Sequence, residues 1–156
     1  ERSRLGDWEA DLVLGKQGTG AIVTLAERKS RIYLTKKVFS KDAVEVSNAI
    51  ISLLSDYRDT CHTITFDNGL EFSEHKAIAK ALEAECYFAH PYASHERGLN
   101  ENTNGLLRQF IRKGTDLRTV SEEDLQRYQS ALNSRPRKCL GFRQPSVVFA
   151  ELRKAA

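Results

Sequence analysis

The sequence predicts an α/β domain: a five-stranded mixed sheet with helices on both faces. Three observations carry this. Residues 8–39 hold three strand-patterned runs joined by short turns, which is an antiparallel meander. Two further strand runs, 62–66 and 86–90, alternate with helical patterns, as in units that return each strand parallel to the last. At 156 residues, 40% of them hydrophobic, the chain can bury one substantial core.

The elements follow in order. "WEADLVLG" (8–15) alternates Trp8, Ala10, Leu12 and Leu14 with Glu9, Asp11 and Val13, so Asp11 falls on the less apolar face and Trp8 in the core. "GAIVTLAER" (20–28) and "RIYLTKKVF" (31–39) complete the meander through the tight "RKS" turn. Ser40 stands as an N-cap for a helix over 42–57, whose apolar side is Ala43, Val46, Ile50, Leu54 and Tyr57. "HTITF" (62–66) is the fourth strand, 73–84 a short helix and "CYFAH" (86–90) the fifth strand. "PYASHERG" (91–98) carries the proline and glycine of a loop. Helices over 99–112 and 121–134 follow. The second opens on Ser121 with Asp124 three residues on, a capping box in its Asp form. The tail "RPRKCLGFRQP" is a loop before a last helix from about Ser146.

No apolar run reaches the roughly 18 residues of a membrane span. Cys61, Cys86 and Cys139 are scattered without CxxC spacing, which speaks against a disulfide framework or a zinc site. They point instead to buried or half-buried thiols in a cytoplasmic protein. The net charge of +3 is unevenly spread: 12 Lys+Arg against 14 Asp+Glu in residues 1–90, and 12 against 7 afterwards. A basic C-terminal part suits a polyanion, and suits a solvated surface equally well. The chain opens abruptly at Glu1 rather than at a methionine, so it is expected to continue a longer protein.

Three acids stand out. Asp67 ends the fourth strand, followed by Asn68 and Gly69, and "DNG" is turn chemistry as well as a place where α/β sheets carry function. Asp11 meets it if the first and fourth strands are neighbours. On a 99–112 helix, Asn104, Arg108 and Arg112 fall within about 60° of Glu101 and Gly105 within about 40°, opposite Leu99, Thr103, Leu106, Leu107 and Phe110. A glycine there costs the helix roughly 1 kcal/mol, reasonable where something bulky approaches its backbone.

"WEAD", "DNGLEF" and "NENTNGLLRQF", with thirty-three residues between Asp67 and Glu101, resemble the DDE motif of retroviral-integrase-like transposases. "ENTNGLLRQFIRKGTDL" and the closing "NSRPRKCLGFRQP" look most like the IS30 family of bacterial insertion elements. The resemblance covers nearly the whole chain. It implies an RNase H-like fold with sheet order 3-2-1-4-5 and a catalytic, metal-binding triad of Asp11, Asp67 and Glu101. It further implies Mg²⁺, or Mn²⁺ in its place, with two ions once DNA is bound. The activity implied is DNA strand cleavage and strand transfer at transposon ends by a homo-oligomer, with terminal-repeat recognition in an N-terminal region preceding this chain. Alternatives are an RNase H-type nuclease, which shares the metal logic, and an inactive DNA-binding or assembly module. Glu9, on Asp11's face, is expected to support the site, Asn68 to cap its turn and Glu71 to lie on the surface. His95, Arg97, Asn104, Arg108, Arg112 and Lys113 are candidate DNA contacts.

Overall fold

A computed structural model of the chain describes residues 4–90 and 98–156. Five strands, β1 (Asp7–Leu14), β2 (Ala21–Glu27), β3 (Tyr33–Val38), β4 (Thr63–Phe66) and β5 (Glu85–Phe88), form one sheet in the order β3-β2-β1-β4-β5. The first three pair antiparallel; β4 pairs parallel to β1 and β5 parallel to β4. The order expected from the resemblance is the order observed.

The helices are α1 (Ala43–Leu54), α2 (His75–Leu82), α3 (Gly98–Leu107), α4 (Glu122–Asn133) and α5 (Pro145–Ala155). One side of the sheet is the larger core. There Trp8, Ala10, Val23, Leu25, Ile64 and Phe66 meet Val46, Ile50 and Leu54 of α1, Ile78 and Leu82 of α2 and Phe149 of α5. On the other side Val13, Ile22, Ala26 and Tyr33 meet Leu99 and Leu107 of α3 and Leu125 and Leu132 of α4. Strand β2 is buried along its whole length, which is why its sequence reads apolar almost throughout.

Three local expectations change. The N-cap of α1 is Asp42, which accepts from Glu45 N. Ser40 instead donates its Oγ to the Glu45 carboxylate, which also takes the Ser40 and Phe39 amides. Helix α1 stops at Leu54, and a 3-10 stretch, Ser55–Thr60, completes the predicted span. The capping box at Ser121 and Asp124 forms as read. Cys61 is buried and Cys86 half-buried; burial pushes their thiols up, to about 12 and about 11. Cys139 is exposed, against expectation, because its loop lies outside both cores. Among the described residues no helix is long and apolar enough to cross a membrane.

Candidate active site

Alternation along β1 puts Asp7, Glu9, Asp11 and Val13 on the face that α3 and α4 cover. The neighbouring strand β4 presents Thr63 and Thr65 on the same face. Thr63 fixes this by donating its hydroxyl to Asp7 Oδ1 at 2.7 Å. The β1–β4 register pairs Asp7 with Thr63, Trp8 with Ile64 and Glu9 with Thr65. Asp67 follows Phe66, the last residue of β4, so the parallel register runs toward Asp11 and Asp67 at the same end of the two strands. Parallel pairing is decisive here: an antiparallel β4 would send its C-terminal end toward the opposite end of β1.

Asp67 leaves the strand through an Asx turn, Oδ1 accepting from Gly69 N at 2.8 Å. Asn68 Nδ2 donates to Ala89 O, fastening the turn to the chain just beyond β5. Gly69 has φ −71 and ψ 146, so no left-handed backbone calls for glycine. A Cβ there would lie 2.5 Å from the Glu71 carboxylate, which is half-buried over the turn rather than free on the surface.

Helix α3 docks on β1 through two side chains. Glu9, only 2% exposed, accepts from Asn100 N at 3.0 Å and from Arg28 Nε at 3.0 Å. It thereby satisfies a first-turn amide of α3 that has no partner within the helix. Asn100 is fully buried and accepts from Thr24 Oγ1 at 3.3 Å. One turn on, Asn104 Nδ2 donates to Asp11 Oδ2 at 3.1 Å, while Tyr33 donates its hydroxyl to Asn104 Oδ1 at 2.7 Å. Burial pushes the Tyr33 phenol far above its ordinary range, so it stays a donor. A donor on the amide oxygen turns the amide nitrogen toward the carboxylate. Asp11 is therefore held at both oxygens, since Oδ1 accepts from Leu12 N at 2.8 Å.

Glu101 is exposed on α3, three residues before Asn104. Gly105 faces open space, with nothing within 4 Å of an added Cβ. Among the described residues no three His, Cys, Asp or Glu side chains lie close enough to share a metal. Asp11, Asp67 and Glu101 therefore do not form one three-acid cluster here. Two hard carboxylates at the same end of neighbouring strands still suit Mg²⁺, which takes oxygen ligands and keeps several waters.

The expected DNA-facing stripe is redrawn. Helix α3 ends at Leu107, five residues short of prediction. Gln109 and Phe110 bond back three residues, to Leu106 O and Leu107 O, which tightens the chain out of the helix. The turn buries Ile111 and stacks Phe110 on Tyr128 of α4, at 4.9 Å between centroids. Arg112 consequently leaves the helix face, and both Arg112 and Lys113 are exposed. Arg108 lies back on the sheet, Nη2 donating to Leu14 O at 2.9 Å and Nη1 buried without a hydrogen-bond partner. Asn104 turns inward. His95 and Arg97 lie outside the described residues. Tyr33, Arg28 and Asn100 carry no local signal in the sequence; Thr24, a polar residue that interrupts the apolar run 21–26 of β2, is the one pointer to this network.

Sheet order and helices on both faces define first a class, the RNase H-like fold. Among solved structures the chain is similar to the catalytic core domain of BIV integrase, with TM-score 0.74 and 20% identity over 96% of each chain. It is also similar to a chain of the simian T-cell lymphotropic virus intasome solved in complex with PP2A regulatory subunit B56 gamma, with TM-score 0.77 and 16% identity over 95% of this chain and 55% of that one.

By sequence the chain is a homologue of bacterial insertion-sequence transposases, those of IS30 elements among them. It is 42% identical over 97% of its length to the transposase for element IS4351 of Bacteroides fragilis, of which it spans 46%. It is 44% identical over 95% of its length to a probable transposase for the insertion-like element IS1161 of Streptococcus salivarius, of which it spans 42%. With the transposase of IS30A in Escherichia coli the identity is 38% over 95% of this chain and 39% of that protein. The chain therefore spans less than half the length of these relatives. No protein-family model matches it.

Proposed function

We propose that this chain is the catalytic core of a DDE transposase, which cuts a DNA strand at transposon ends and joins the freed 3′ hydroxyl to target DNA. One observation carries the reading. The parallel β1–β4 pairing runs toward the strand ends that carry Asp11 and Asp67, and Asn104, one turn beyond Glu101 on α3, bonds to Asp11, which supports a site shared by the three acids. Homology with insertion-sequence transposases supports the substrate and the reaction.

Both steps are in-line displacements at phosphorus, in which positioning and charge neutralisation outweigh covalent work by the protein. Asp11, Asp67 and Glu101 would hold Mg²⁺, or Mn²⁺ in its place. Two such ions, once DNA is present, would supply activation of the attacking oxygen and offset charge on the leaving one. Asp11, fixed by Asn104 and Leu12 N, keeps its rotamer while substrate enters. Glu101, exposed on α3, would join the two aspartates from the solvent side, and the open backbone of Gly105 would leave room for substrate. Arg112 and Lys113 after α3, and His95 and Arg97 before it, would contact phosphates and set the strand's position. The active form is proposed to be a homo-oligomer on DNA in the cytoplasm, on the likeness to an intasome chain and the free cysteines.

The test is strand cleavage and joining of labelled duplexes bearing candidate element ends, in Mg²⁺, with melting followed in parallel. Asp11→Asn, Asp67→Asn and Glu101→Gln should each abolish both steps and leave the fold intact. Near wild-type activity in any one removes that residue from the site. Millimolar Mg²⁺ or Mn²⁺ should raise the melting temperature of the wild type and not that of Asp67→Asn.

A further inference from the structure

The loop between α4 and α5 is an ordered hairpin built around an exposed aromatic ring. Arg137 and Arg143 form a two-residue β-bridge, closed by Arg137 N→Arg143 O at 3.0 Å and Phe142 N→Arg137 O at 2.8 Å. A 3-10 turn, Lys138–Leu140, fills the interior. Gly141 and Phe142 then sit consecutively in the left-handed region, at φ +64 and +66. For glycine that conformation is free, but for phenylalanine it is strained, because Cβ crowds the backbone. The strain does not serve packing: the Phe142 ring is 70% exposed.

The surroundings are cationic. From Ser134 to Gln144 the chain has Arg135, Arg137, Lys138 and Arg143 and no acidic residue. Arg143 pairs with Glu151 of α5, and Arg135 donates to Gln109 Oε1 at 3.2 Å. Arg137 and Lys138 have no side-chain partner among the described residues, and Lys138 is exposed. Unpaired cations beside an exposed ring that the backbone is strained to display are the parts of a single-strand nucleic-acid platform: the ring stacks on an unpaired base and the cations follow the phosphates. An intact duplex shows bases only edge-on in its grooves and offers such a ring nothing to stack on.

We infer that the 135–143 hairpin binds unpaired DNA, with Phe142 stacking on a base and Arg137 and Lys138 on the adjoining phosphates. The inference takes DNA as the partner from the reading above and adds a second contact surface, on an element that carries none of the three proposed catalytic acids. Strand displacement at a transposon end would supply the unpaired bases.

The experiment measures the affinity of the chain for an oligo(dT) and for a duplex of equal length, by fluorescence anisotropy at low salt, alongside thermal melting. Phe142→Ala should weaken oligo(dT) binding roughly 5- to 150-fold, the equivalent of about 1–3 kcal/mol for one stacked base, and change duplex binding little. Phe142→Gly should lose as much affinity yet melt no lower than the wild type, because glycine relieves the left-handed residue. Lys138→Glu should reduce the slope of log K against log salt by about 0.7. Phe142→Trp should report stacking by quenched fluorescence, since Trp8 is buried. Wild-type oligo(dT) binding in Phe142→Ala overturns the inference, as does a Phe142→Gly variant melting several degrees lower, which would make the ring a packing element. Binding of poly-glutamate that depends on Phe142 while oligo(dT) binding does not would give the hairpin to an acidic protein partner. Asp11→Asn separates the two readings: it should lose cleavage and keep full oligo(dT) affinity. A wild type that never cleaves but binds through Phe142 removes the catalytic reading and leaves the hairpin.

Discussion

Glu9 is the buried charge on which the seating of α3 depends, and Glu9→Gln tests how the face is built. The glutamine keeps an oxygen for Asn100 N but replaces the acceptor facing Arg28 by an amide that cannot take a guanidinium proton. Glu9 is 2% exposed and Arg28 18%, so solvent replaces little of what is lost. Loss of one hydrogen bond to a charged group costs about 1.5–3 kcal/mol. At roughly 2–4 °C per kcal/mol for a chain of this length, the melting temperature should fall by some 3–12 °C. Glu9→Ala, which leaves Arg28 facing a hole and Asn100 N without a partner, should cost about 3–5 kcal/mol, a large fraction of a marginal stability. A double-mutant cycle with Arg28→Met, read by chemical denaturation, isolates the pair and should return a coupling of about 1–3 kcal/mol. The folded fraction of Glu9→Gln should still cleave DNA within about tenfold of wild type, an estimate for a group that acts only through the seating of α3. Unchanged melting refutes the buried-pair account. Full stability with complete loss of cleavage, as predicted for Asp11→Asn, makes Glu9 rather than Asp11 the working acid of β1.

Other predictions follow from the same geometry. Tyr33→Phe keeps the ring in the core but leaves Asn104 Oδ1 without its donor; it should destabilise by about 1–3 kcal/mol and lower cleavage, because Asn104 can then turn its amide away from Asp11. Burial opposes charge on Asp7, but hydrogen bonds from Arg4 and Thr63 and the charges of Arg4 and Arg28 outweigh it and hold the carboxyl below its ordinary value. That contribution is complete above the unfolded value of about 3.9 and is lost as pH falls through the lower folded value, so acid melting should be less steep in Asp7→Asn below about pH 4. Arg108→Glu should unfold the end of β1, since the guanidinium caps Leu14 O with one nitrogen already buried, and the defect should appear in melting before DNA is added. Arg112→Glu, on an exposed turn, should leave melting unchanged and weaken binding to all DNA sequences alike, with a salt slope shallower by about 0.9 on duplex.

The sequence by itself determined the elements, because strand and helix patterns are local: a period of two marks β1 and β3, and a period near 3.6 marks α1 and α4. It determined the Ser121 capping box for the same reason, since a cap and its partner lie three residues apart. Its ordered acids and flanking motifs, through the resemblance to integrase-like transposases, indicated the sheet order. Tertiary structure decided where side chains turn. Asn104 and Arg108 read as outward, substrate-facing groups on an ideal helix wheel, yet each found a partner on β1 more than ninety residues away. Arg112 left the face because burying Ile111 and stacking Phe110 on Tyr128 ended the helix early. Glu9 became the tether of α3 and Tyr33 the residue that orients Asn104 through hydrogen bonds between distant strands and a helix, and no local period encodes those. A buried polar group must find a partner somewhere, and which one it finds is settled only when the sheet register and the helix docking bring distant parts of the chain together.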